Sequence, residues 1–266
     1  MAKPHGNCAL TGEFGKFVDA HILPKALTRP SLMGAPLMQS TDGEGFKKRF
    51  SSWYDRNLVT ADGEKILRDI DTAAISLLRE LKLVWSGWDE LPEYQAIEGD
   101  PLRRGVRQPV VPNPDTIWQF FISICWRASA STLRDLEHFV LDKQVSEKMR
   151  QCVVSRSYKP EVFPVTLTQI VTKGEAHNQT PTLDRLESVK VRGFRTKEHR
   201  IARIYVEGLI AHIYIDSDLP KGVVSSPQFL GGAQRIVVPC IPFEVSAQVE
   251  RVQDALARSF GYRNRS

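Results

Sequence analysis

Through the first sixty residues the apolar positions follow no regular period. Gly12, Gly15, Pro24, Pro30, Gly34, Pro36, Gly43 and Gly45 interrupt every run, which predicts loops and a short hairpin. Leu32 to Gly45 is polar and glycine-rich, and reads as an exposed loop. A helical period then sets in. Ile66, Leu67, Ile70, Ala73, Ala74, Leu77, Leu78 and Leu81 recur on one face, with Lys65, Arg68, Asp69, Arg79 and Glu80 between them. Thr60 or Asp62 suits the N-cap.

Leu91 to Pro114 breaks the pattern. Five prolines and the run Arg103-Arg104-Gly105-Val106-Arg107 give it the composition of a linker, dividing the chain into 1–90, 91–114 and 115–266. Thr116 to Arg127 is apolar nearly all round and predicts a buried helix. Ser131–Leu141 and Ser146–Val154 predict shorter amphipathic helices opened by serine caps.

Beyond Pro160, Val162–Thr172, Ser188–Phe194, Ile201–Glu207, Leu209–Asp216 and Ile236–Phe243 are rich in β-branched and aromatic residues, as strands are. Glu207-Gly208 fits a tight hairpin. Val245, Val249, Val252, Leu256 and Phe260 mark a closing helix that Gly261 would end. The expected class is α+β: a ββα-like N-terminal finger and helices, then an antiparallel sheet with a closing C-terminal helix.

Composition narrows this picture only a little. At 266 residues, 42% hydrophobic and 25% charged, the chain suits one large globular domain or two small ones. No stretch approaches the ~20 apolar residues of a membrane span, and the first residues lack the apolar core of a signal peptide. Cys8, Cys125, Cys152 and Cys240 are too scattered for a disulfide framework, which points to a reducing cytoplasm. A net charge of +5 favours polyanionic partners mildly, and solubility alone accounts for it equally well.

The chemistry-bearing stretch is Cys8-Ala-Leu-Thr11, then Phe17-Val-Asp-Ala-His21-Ile-Leu-Pro24-Lys25, with Trp53-Tyr-Asp-Arg-Asn57-Leu58-Val-Thr60-Ala-Asp-Gly63-Glu64 downstream. A hairpin ending in a histidine, then a loop and a helix, resembles the ββα finger of the HNH (His-Me finger) endonucleases. It is most similar to a branch with Cys-x-x-Cys, a Ser-His-Ile-Ile-Pro-Lys-like run, and Leu-Cys-x-x-Cys-Glu. The resemblance covers roughly residues 8 to 90 and, more faintly, Trp126-Arg127-Ala128-Ser129.

It implies that His21 is the general base on an attacking water and that Asn57 orients it. Glu64, and less directly Asp19, are the implied holders of Mg²⁺ or another divalent cation. An imidazole titrating near neutrality suits proton abstraction, and a hard cation neutralises charge on the phosphate. The departures are specific. Thr11, Thr60 and Gly63 stand where three of four zinc thiolates would be, so no structural zinc is expected. Packing by Phe17, Ile22, Leu23, Trp53 and Tyr54 would replace it. Ala20 stands before the histidine, and Asp19, one residue earlier, belongs to the opposite face of a strand.

Plainer readings stay open beside these. A lone histidine in an apolar run is usually structural, Glu64 suits the first turn of any helix, Asn57 suits a turn, and Cys8 suits a buried thiol. Cys125 and Cys152 read as core. Lys190, Arg192, Arg195, Lys197, Arg200 and Arg203, against the single acid Glu198, form either a track for a phosphate backbone or a solvated strand face. Arg103, Arg104 and Arg107 extend that track or keep a linker soluble. His177, His199 and His212 show no ligand spacing and read as surface or sheet residues.

Two functions follow. One is a metal-dependent endonuclease on DNA, of the kind found in phage defence or mobile elements. The other is a catalytically inactive finger-derived protein that binds nucleic acid or a protein partner. No membrane partner is expected, and self-association is left open.

Overall fold

The computed structural model describes residues 4–29, 35–173, 177–187, 198–216, 219 and 221–261. The N-terminal hairpin pairs β1 (His5–Asn7) with β2 (Phe14–Lys16). The chain continues into β3 (Ala20–His21), β4 (Leu37–Ser40), β5 (Lys47–Arg49) and β6 (Tyr54–Asp55). Strand β3 pairs not with the hairpin but with β6, His21 opposite Tyr54. Helix α1 (Ala61–Glu80) follows from the N-cap Thr60 and buries the predicted stripe at Leu67, Ile70, Ala74, Leu77 and Leu78.

Helix α2 (Pro114–Ala130) opens on a proline at its first turn, where no N–H is needed. Every residue from Ile117 to Ala128 is buried, because α2 packs against α1, against α3 (Lys143–Ser155) and against the sheet behind them. Ser131–Leu141 is not the α-helix its serine and period suggest: only a 3₁₀ turn forms, at Arg134–Leu136. The reason is tertiary. The buried Asp55 carboxylate accepts the Ser131 hydroxyl at 2.8 Å and the Thr132 N–H at 2.7 Å, drawing the segment into an extended corner.

The main sheet has seven strands in the order β11-β12-β13-β9-β14-β8-β7. They are β7 (Gln95–Ala96), β8 (Gly105–Arg107), β9 (Val165–Ile170), β11 (Thr182–Glu187), β12 (Glu198–Val206), β13 (Leu209–Tyr214) and β14 (Val238–Ile241). All its neighbours run antiparallel except β9 and β14. At the predicted hairpin, Glu207 and Gly208 take φ of 42° and 80°. A Cβ on Gly208 would stand 2.1 Å from Trp85 Nε1.

The proline-rich segment at 91–114 contributes β7 and β8 to this sheet rather than hanging free. Arg107 lies half-buried beneath it, donating to Gln169 Oε1 at 2.7 Å and to the carbonyls of Lys82 and Leu81. The glycine-rich stretch likewise holds a strand. A smaller sheet joins β4 antiparallel to β5 and parallel to β10 (His177–Gln179). The single turn α4 (Lys221–Val224) and the closing helix α5 (Ala247–Gly261) complete the α+β chain. The expected strand Ser188–Phe194 falls outside the described residues. Among the described residues no helix is long and apolar enough to cross a membrane.

Candidate functional site

One apolar core runs from Cys8 of the finger through α1, α2 and α3 to Val238 of the sheet, and it fixes the frame of the site. The finger supplies Leu10, Ala20, Ile22, Leu23 and Trp53 to it, all buried. At its base Cys8, Thr11, Thr60 and Gly63 meet. A Cβ on Gly63 would lie 2.6 Å from Cys8 Sγ. Burial by itself would raise the Cys8 pKa, but side-chain and backbone hydrogen bonds from Thr11 and Thr60 outweigh it and hold the thiol below its ordinary value. Thr60 starts α1 without a side-chain cap bond, and it is among the groups that lower the Cys8 pKa.

Above this base, β3 and one face of α1 enclose a cavity of about 480 Å³ lined by His21, Pro24, Lys25, Ala26, Glu64, Arg68, Asp71, Thr72, Ile75, Ser76 and Arg79. Glu64, Arg68, Asp71 and Ile75 recur at helical spacing, so α1 presents them as one wall. His21 forms the opposite wall, its ring 6.0 Å from that of Tyr54. Burial first, then Lys25 and Arg127, hold the His21 pKa below 6.5, with Asp19 and Asp71 acting the other way. The lowered pKa favours the neutral imidazole. Burial pushes the Glu64 carboxyl up to about 7, Arg127 and Arg68 pulling it back and Asp71 adding to the rise.

Arg127 of α2 ties the two walls together from behind. It is 1% exposed, and its guanidinium donates to the His21 carbonyl at 2.9 Å and to both Asp71 oxygens at 2.8 and 3.0 Å. Ser123 accepts two further bonds. The motif reading did not single out Arg127 as a site residue. An arginine inside an otherwise apolar helix was the available signal, because a buried guanidinium must find partners. Lys25 closes the histidine motif without a role implied for it, whereas Asp71 and Arg68 carry no signal of their own in the sequence.

The other sequence-derived candidates lie elsewhere. Asn57 is exposed in the turn after β6, its backbone N–H donating to Asp55 Oδ1 at 2.8 Å, and its side chain does not line the cavity. Asp19 faces Arg56 at 3.7 Å and is likewise outside the lining, and its charge acts on His21. Lys190, Arg192, Arg195 and Lys197 are outside the described residues. Arg200 meets Asp142 at 3.1 Å on the surface.

Arg203 is not on a phosphate-tracking surface. It pairs with Asp184 at 2.9 Å and donates to His212 Nε2, within a mostly buried network that Arg251 joins through the same aspartate. Burial, reinforced by Arg203 and Arg251, lowers the His212 pKa to about 3. All four cysteines are buried free thiols. Comparison with known proteins found no match, whether to a family model, a curated protein or a solved structure.

Proposed function

We propose that this chain is a metal-assisted phosphodiesterase on a His-Me-like finger, an endonuclease acting on DNA. The observation that carries the reading is the cavity itself. A neutral imidazole, His21, faces a desolvated carboxylate, Glu64, across a space that Lys25, Arg68 and Arg79 also line. The convergence of Cys8, Thr11, Thr60 and Gly63 supports it from a second direction, since these positions were matched to a metal knuckle by spacing alone. With two hydroxyls and a glycine around one thiol, packing holds the base of the finger in this reading.

The imidazole of His21 takes the proton of a water as the water attacks phosphorus, the bond from phosphorus to the leaving sugar oxygen breaks, and that oxygen takes a proton from solvent. Lys25 and Arg68 draw the phosphate into the cavity by charge. Glu64 would hold a divalent cation, and its pKa of about 7, raised chiefly by burial against the pull of Arg127 and Arg68, marks a carboxylate whose charge a cation would stabilise. Among the described residues no three His, Cys, Asp or Glu side chains form a metal cage. Mg²⁺ does not require one, because it commonly keeps several waters and uses one or two carboxylates together with substrate phosphate. When bound, the cation supplies charge stabilisation at the phosphate and the leaving oxygen.

Two observations favour a second reading, in which the finger is a scaffold that binds nucleic acid or a protein partner without cutting. The side chain of Asn57 is turned to solvent, and Ala20 offers His21 no polar neighbour along the strand. Incubating supercoiled plasmid with the protein and Mg²⁺ or Mn²⁺ separates the two. Nicking by wild type that His21→Ala abolishes supports the hydrolase. Equal inertness with several metals and substrates, together with a salt-sensitive gel shift, supports the scaffold.

A further inference from the structure

We propose that Arg127 is a positioning residue of the His21 site, fixing the imidazole against the Glu64 wall by joining β3 to α1 through one guanidinium. Strand β3 is only two residues long and is matched by an equally short β6. The N–H of Ile22 donating to the Trp53 carbonyl at 3.0 Å adds one more bond. So short a ladder fixes a strand weakly by itself. The backbone carbonyl of His21 is held instead by Arg127 Nη1 at 2.9 Å.

The same guanidinium forks onto both Asp71 oxygens at 2.8 and 3.0 Å. Asp71 and Glu64 stand two turns apart on one face of α1, so gripping Asp71 sets how far the Glu64 wall stands from β3. Ser123 locks the fork from within α2, its carbonyl and hydroxyl both accepting from Arg127. Planar geometry with five donors is what lets one side chain hold a carboxylate and a carbonyl on separate elements. A lysine keeps the charge but cannot span both. The pairing also occupies Asp71, which leaves Glu64 as the cavity carboxylate available to a cation.

The catalytic consequence rests on the hydrolase reading, whereas the placement of the ring does not, and the test keeps them apart. Full-length Arg127→Lys is compared with wild type for Mg²⁺-dependent plasmid nicking and for the NMR signals of the His21 ring. A folded Arg127→Lys should lose about 10–100-fold in kcat with KM changed no more than about twofold, as loss of an orienting partner does. Its His21 ring signals should shift or broaden. A folded Arg127→Lys with wild-type kcat and wild-type ring signals overturns the role. If this variant fails to fold, Asp71→Asn, which releases the fork yet leaves the arginine in place, carries the same ring-signal test, and an unchanged spectrum overturns it. If wild type cuts nothing, the hydrolase reading fails while the ring signals still decide Arg127.

Discussion

Replacing Glu64 by glutamine isolates the electrostatic state of the cavity without relying on any activity. The folded-state pKa of Glu64 is raised from 4.5 to about 7, chiefly by burial. A raised carboxyl favours the fold while it is protonated. Its contribution is therefore complete below pH 4.5, falls as pH rises through the window, and is gone above about 7. At about 1.4 kcal/mol per pKa unit, the ceiling is about 3 kcal/mol. Glu64 is only partly buried, so solvent screening reduces this to about 1–1.5 kcal/mol.

Glutamine has no charge to bury. The stability of Glu64→Gln relative to wild type should therefore grow by about 1–1.5 kcal/mol between about pH 4.5 and pH 8.5. Urea unfolding of both proteins across that range measures the difference, and the other titrating groups, His21 included, cancel between them. At the alkaline end, added Mg²⁺ should stabilise wild type and leave Glu64→Gln unmoved. A stability difference that stays flat from acid to alkaline pH would refute the desolvated carboxylate on which the cation site depends.

Three further outcomes follow from the same geometry. Gly208→Ala should cost about 2–3 kcal/mol in urea unfolding, because the residue sits at φ 80° and its Cβ would meet the Trp85 indole. A loss below about 0.5 kcal/mol would show that the hairpin is not so constrained. The triple variant Thr11→Cys, Thr60→Cys, Gly63→Cys should bind one zinc per chain by elemental analysis, since these positions already surround Cys8. Zinc content no higher than wild type would contradict that geometry. Asp55→Ala should destabilise by about 3 kcal/mol or more, because the Ser131 hydroxyl, the Thr132 N–H and the Asn57 N–H all lose their buried acceptor. Calorimetry checks this, and a melting temperature within a degree or so of wild type would refute it.

What the sequence discloses and what it hides divide along the range of the interactions. Helices α1, α2, α3 and α5 show themselves because their periodicity is local and their apolar faces are long. Strands β9, β12, β13 and β14 show themselves through β-branched runs, and the Glu207-Gly208 turn through its chemistry. Strands β4, β5, β7, β8 and β10 are short, and β4, β8 and β10 take partners far off in the chain, as where Met38 lies opposite His177. No local pattern announces such pairings. The failure of Ser131–Leu141 as a helix has the same origin, since Asp55 captures residues some 76 positions away.

The candidate site divides similarly. His21 and Glu64 were legible as motif positions, and both face the cavity. Asn57 follows its plainer reading as a turn residue. Arg203 reads as one of a solvent-facing row because alternation along a strand cannot reveal that Arg251, from α5, shares Asp184 with it. Arg127 and Asp71 lie on different helices, 56 residues apart, and only packing reveals that they meet.

The central claim, that His21 and Glu64 together form a hydrolytic centre, is tested most directly by the pH dependence of plasmid nicking with Mg²⁺ or Mn²⁺, using His21→Ala as the blank. Both groups must be deprotonated to act, and Glu64, at about 7 before a cation binds, is the later of the two to lose its proton, so the profile is read at metal concentrations below saturation. The wild-type rate should climb with pH through the neutral range and level above about pH 8, with no cutting by His21→Ala. Wild type and His21→Ala giving the same rate at every pH, whether measurable or nil, would contradict the claim.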